Sequence, residues 1–189
     1  MSQIQIAERY AISLIDLAQE QNLLSEVFED MRSIQEVCKN AEFTTMLKSP
    51  VIYSDKKLAI FKQLFEGKIQ NLSMLFIQLL IQKGRESGLG AICLAFIEQY
   101  KAIKKIKTAR IITATELNDQ ELDKIKTRFS FWLKPGEVMD LSQKVDPSLI
   151  GGFILEMGDQ NYDASVKRQL GEMKDNLYDK SYISLVEKR

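Results

Sequence analysis

The stretch Val145–Val166, VDPSLIGGFILEMGDQNYDASV, decides how the chain is built. Asp146-Pro147 makes a turn that leads into Gly151-Gly152, and the apolar run from Phe153 to Met157 has strand character. Gly158-Asp159 reverses the chain. Asp163-Ala164-Ser165 then opens a terminal helix, with the Asp163 carboxylate placed to accept a backbone N–H as its N-cap. The order of elements is specific, yet the segment holds no nucleophile beside a base, no metal-ligand cluster and no phosphate loop. It predicts a small α/β interaction fold.

Upstream, Val138 to Val145 alternates Met139, Leu141 and Val145 against Asp140, Ser142 and Lys144, as a half-buried strand does. Thr108 to Thr115 (TARIITAT) is rich in β-branched residues and reads as another strand. Between them, Asn118 and Glu121 stand at capping-box spacing before an amphipathic stripe of Leu122, Ile125, Phe129, Trp132 and Leu133.

The first hundred or so residues read as helices throughout. Ala7, Tyr10, Ala11, Leu14 and Ala18 recur at i, i+3, i+4 and i+7, and their alanines permit close approach of a partner helix. Gln21-Asn22 breaks that helix, and the next carries Leu24, Val27, Phe28, Met31, Ile34 and Cys38. A short turn with Phe43, Met46 and Leu47 is stopped by Ser49-Pro50. Ser54 is the expected N-cap of a helix bearing Leu58, Phe61, Leu64 and Phe65, ended by Gly67. A helix from Asn71 to about Lys83 is apolar on two faces: Leu72, Leu75, Phe76, Leu79 and Leu80 on one, Met74, Ile77 and Ile81 on the other. Such a helix is either central to a bundle or flanked by a ligand helix. A long helix through Ile92, Phe96, Tyr100 and Ile103 follows. The pattern predicts an all-helical domain over residues 1–105, a small α/β domain over 107–178 and a tail over 179–189.

Composition narrows the function. Lys and Arg total 26, as do Asp and Glu, so the formal net charge is zero and there is no overall pull towards nucleic acid or an anionic membrane. The chain has no histidine, which removes the commonest general base and metal ligand. Cys38 and Cys93 are far apart, form no C-x-x-C and read as reduced packing residues. No metal or other cofactor is expected. The amino terminus carries acids and lacks a continuous apolar core, so it reads neither as a secretory signal nor as a transit peptide. No apolar run is long enough to span a bilayer.

Other features have structural readings. Gly84, Gly88 and Gly90 join two helices, where a phosphate loop would join a strand to a helix. Gly151-Gly152 precedes a strand where a dinucleotide site would need a helix N-terminus. Lys101, Lys104, Lys105 and Lys107 suit a solvated helix end. Glu8 and Asp16 lie on the solvated face of the first helix. The Tyr10 stripe and the Leu72–Ile81 segment carry more apolar surface than a small bundle needs, and a groove for an amphipathic helix follows from that surplus.

Three motifs give these pieces a family likeness: A-E-R-Y-A-I-S-L-I-D-L-A from Ala7, K-G-R at Lys83–Arg85, and V-D-P-S-L-I-G-G-F-I-L…G-D…D-A-S-V from Val145. With these motifs the chain resembles the δ subunit of bacterial F-type ATP synthase, the family of the mitochondrial oligomycin-sensitivity-conferring protein. The resemblance covers nearly the whole length. It implies an N-terminal six-helix bundle and a non-catalytic part of the peripheral stator stalk, which resists rotor torque so that ion-driven rotation yields ATP.

Two partners follow from the resemblance. The N-terminal helix of an α subunit would lie between the first and fifth helices, against Ala7, Tyr10, Ala11, Leu14, Leu75 and Leu79. The b subunits of the peripheral stalk would meet the C-terminal domain at Gly151, Gly152 and Phe153 and at the last helix. No nucleic acid is expected, and membrane contact only through the complex, on the cytoplasmic face of a bacterial plasma membrane. A free-standing scaffold that binds an amphipathic partner helix is the alternative.

Overall fold

A computed structural model describes residues 3–186 of the chain, with side chains from 4 to 177. The chain divides into two compact units, with the division in sequence between Ile103 and Lys104.

The first unit holds α1 (Gln3–Glu20), α2 (Leu24–Cys38), α3 (Ala41–Lys48), α4 (Ser54–Phe65), α5 (Asn71–Gln82) and α6 (Leu89–Ile103). Each boundary has a local cause. Asn22 takes a left-handed φ of 57° just past α1, a conformation asparagine tolerates. Asn40 caps α3, its side chain accepting the Glu42 and Phe43 N–H groups. Gly67, at φ 73°, lies just beyond α4. Ser54 is not the α4 cap: Tyr53 occupies that position and makes no side-chain capping bond.

α6 packs chiefly against α1 and α2, so it forms the centre of the unit. Leu14, Met31, Ile34, Phe61, Ile77, Leu80, Ile92 and Phe96 are fully buried in this unit. Phe28 stacks on Tyr100 with ring centroids 4.1 Å apart, and Phe43 meets Phe61 edge-on at 5.3 Å.

The second unit is a four-stranded sheet with two helices. β1 (Ile106–Thr113), α7 (Asp119–Arg128), β2 (Val138–Val145), β3 (Phe153–Met157), β4 (Gln160–Asp163) and α8 (Val166–Val186) follow in order. The strand order is β2-β1-β3-β4. β1 and β2 are parallel, as expected of strands joined through a helix, with Ile106 opposite Val138 and Thr113 opposite Val145. β1 and β3 are antiparallel, as are β3 and β4.

The strand period of two places Ala109, Ile111, Met139, Leu155 and Met157 on one face. There they form the core with Phe129, joined by Leu122, Ile125 and Trp132. The amphipathic stripe predicted to continue through Leu133 leaves the α-helix at Arg128; Ser130–Trp132 forms a single 3-10 turn. Asn118 and Glu121 form a complete capping box, with reciprocal bonds of 2.9 Å.

Candidate functional site

The helical unit presents its candidate surface along α1 and α5. The two helices meet through side chains, the Tyr10 ring standing edge-on to Phe76 with centroids 6.4 Å apart. Phe76, Ile77, Leu80 and Ile81 anchor α5 in the core. Leu75 and Leu79, one turn apart, are 54% and 43% exposed. Leu17, two turns along α1 from Tyr10 and therefore on the same flank, is also exposed. Tyr10, Leu75 and Leu79 are thus accessible to a partner. Ala7, Ala11 and Leu14 are buried and face the core, so they support α1 from beneath.

The position of α5 is set by a residue with no local signal. Asp30 on α2, itself buried, accepts the Gln70 N–H at 2.8 Å and the Ser73 hydroxyl at 2.6 Å. One carboxylate therefore caps the N-terminus of α5 from another helix, satisfying donors that α5 cannot satisfy itself.

A second buried polar link lies at the start of α6. Lys57 of α4 donates to the Leu47 carbonyl and to Glu86 Oε1, both at 2.8 Å. Glu86 Oε2 is buried and has no hydrogen-bond partner among the described residues. Of the K-G-R-E run, it is Glu86 that the structure ties inward.

In the second unit, Gly151 and Gly152 are shaped by the start of α8. Gly152 has φ 74°, and a Cβ there would drive into the Ala164 carbonyl. The Gly151 carbonyl accepts the Val166 N–H at 3.0 Å, and a Cβ on Gly151 would lie 3.1 Å from Val166 Cγ2. Gly152 thus permits close backbone approach, and Gly151 leaves room for the Val166 side chain. Phe153 belongs to an aromatic group, edge-on to Phe129 and tilted towards Tyr162, with centroids 6.0 Å away in each case. The exposed edge of that group is Phe131, 72% accessible, which sequence periodicity did not single out. Leu170, Met173 and Leu177 form a further exposed apolar line on α8.

The cap of α8 also differs from expectation. Asp163 accepts the Ser165 N–H at 2.8 Å, while the Ser165 hydroxyl accepts the Arg168 N–H at 3.2 Å. Ser165 therefore stands in the N-cap role and Asp163 braces it from the preceding turn. The hydrogen bonds from Ser165 hold the Asp163 carboxyl below its ordinary value of 3.8. Burial pushes the Cys38 thiol up to about 11 and the Cys93 thiol higher still, which disfavours the thiolate at both positions. Among the described residues no cluster could hold a metal ion, and no helix is long and apolar enough to cross a membrane.

The sequence model of the ATP synthase delta (OSCP) subunit family matches residues 6–177. The ATP synthase subunit delta of Cytophaga hutchinsonii is 35% identical over 175 residues, 92% of this chain and 94% of that protein. The subunit delta of Lactobacillus johnsonii is 33% identical, covering 94% of this chain and 97% of that protein. A chain in the Toxoplasma gondii mitochondrial ATP synthase hexamer shares the fold, with a TM-score of 0.64 at 24% identity over 91% of this chain and 97% of that one. The motifs, the order of the helical and α/β units along the chain and these matches lead to one conclusion: the chain belongs to the ATP synthase delta (OSCP) subunit family.

Proposed function

We propose that the exposed flank of α1 and α5 takes the N-terminal helix of an ATP synthase α subunit, and that the second unit grips the b subunits of the peripheral stalk. Membership of the family makes the chain a non-catalytic stator subunit of the ATP synthase, and so part of a membrane-associated complex. The six helices of the first unit act as one bundle that sits on the catalytic head. The complex holds the subunit at the cytoplasmic face of a bacterial plasma membrane.

One observation carries the α-subunit reading: Leu75 and Leu79 lie exposed on α5, whose other face is anchored in the core, and Tyr10 links that helix to α1. Covering the exposed half of each leucine contributes on the order of 1 kcal/mol. An amphipathic helix laid along the pair supplies that cover. In the second unit, Phe153 and exposed Phe131, which both pack on Phe129, and the Leu170–Leu177 line on α8 offer apolar surface to a stalk helix, while Gly151 and Gly152 let the start of α8 lie close to the turn before β3.

The test is calorimetric titration of the full chain with a synthetic peptide of the α-subunit N-terminal helix. Leu79→Asp or Tyr10→Asp weakens binding by about tenfold or more, with the circular dichroism spectrum unchanged. Equal affinity in a folded variant rejects the assignment.

A further inference from the structure

The opposite flank of α1 carries a groove that the α1/α5 surface does not explain. It lies between α1 and α6, has a volume of about 300 Å³, and is lined by Ile4, Ala7 and Glu8 on one side and by Ala91, Leu94, Ala95, Glu98 and Gln99 on the other. At about 100° per residue, Glu8 points some 160° away from Tyr10 around α1, so the groove opens on the flank opposite Tyr10 and shares with the first surface only the buried Ala7.

The groove departs from an ordinary solvated helix face in three ways. Ile4 is 68% exposed and Leu94 48% exposed, so its walls present bare apolar side chains. Ala91 and Ala95, one turn apart, leave the outer face of α6 low enough for another backbone to approach closely. Glu8 and Glu98 border the apolar strip, no basic side chain lines it, and neither carboxylate has an ion-pair partner among the described residues.

We propose that this groove is a second helix-docking site, fitted to a basic amphipathic helix of a partner protein. Apolar residues at i, i+3 and i+4 of the partner cover Ile4 and Leu94. Lysines or arginines on its flanks meet Glu8 and Glu98, which fix its register and favour a cationic partner over an acidic one. The lining from Ala91 to Gln99 spans about 12 Å along α6, room for roughly two helical turns. The same carboxylates repel a phosphate backbone or an anionic lipid surface, so nucleic acid and membrane are poor occupants. The site stands independently of the α1/α5 reading.

Two designed helices of about 18 residues test it, both with leucine at i, i+3 and i+4, one with lysine at the remaining positions and one with glutamate. Each is labelled and titrated into the full chain by fluorescence anisotropy. The lysine helix binds about tenfold or more tighter than the glutamate helix. Leu94→Asp weakens it by about tenfold, and the Glu8→Lys, Glu98→Lys double substitution reverses the preference, both with circular dichroism unchanged. Leu79→Asp leaves lysine-helix binding unaltered. No binding, equal binding of the two helices, or binding lost in Leu79→Asp and kept in Leu94→Asp overturns the proposal. Failure of the α-subunit peptide to respond to Leu79→Asp bears only on the other groove.

Discussion

Asp30 shows how one side chain positions a surface it never reaches. Its carboxylate holds the first turn of α5 through the Gln70 N–H and the Ser73 hydroxyl. Replacing it with alanine leaves the buried Ser73 hydroxyl and the part-buried Gln70 N–H without their acceptor, at a cost of about 2 kcal/mol. Urea denaturation of Asp30→Ala measures that loss as a lower transition midpoint. The contrast with Asn118 explains what sequence can disclose. Asn118 and Glu121 are three residues apart, so their box is local and readable. Asp30 and Gln70 are 40 residues apart and become partners only after α2 and α5 have packed. The same limit applies to the stripe on α1. Helical spacing marks Ala7, Ala11 and Leu14 as one face with Tyr10, but only packing shows that the first three are buried and Tyr10 partly open.

Between elements, the Lys57–Glu86 pair joins α4 to the end of α3 and to the turn that starts α6. Removing one partner strands a buried charge, so Lys57→Ala costs about 3–5 kcal/mol. Replacing both by apolar residues of similar volume, as in Lys57→Met with Glu86→Leu, costs far less. Guanidinium denaturation of the two variants separates these outcomes.

At the start of α8 the decisive variable is pH. The Asp163 carboxyl is held below 3.8 in the folded chain, so its contribution to stability is fully present above that value and is lost as pH falls through the lower folded value. Thermal melts from about pH 5 down to about pH 3 therefore show a steeper loss for the natural chain than for Asp163→Asn. Sequence places an acid before this helix correctly. It misassigns the cap because Asp163 and Ser165 are both capping residues, and the backbone of the preceding turn decides between them.

Across the whole molecule, the change in sequence character near Lys107 falls close to the division between Ile103 and Lys104. Each unit closes a core of its own, one around α6 and one between the sheet and α7. Residues 1–103 produced alone accordingly fold to a helical unit with a cooperative thermal transition, followed by circular dichroism at the helical band. The order of helices and strands is legible because periodicity and turn residues act within a few positions. Docking faces are not, because an exposed leucine and a buried one have the same hydropathy.

The seam at Gly152 has a mechanical meaning. Without a Cβ at that position, the strap before α8 lies directly on the strap before β3, and main-chain bonds join them: Ala164 N–H to the Phe153 carbonyl at 2.9 Å and Val166 N–H to the Gly151 carbonyl at 3.0 Å. A pull on α8 enters the sheet through those short bonds and then through the antiparallel pairing of β3 with β1. Long, rotatable side chains, the softest springs in a protein, are bypassed. The glycine therefore sets the compliance of the joint between α8 and the sheet, and makes it a stiff one.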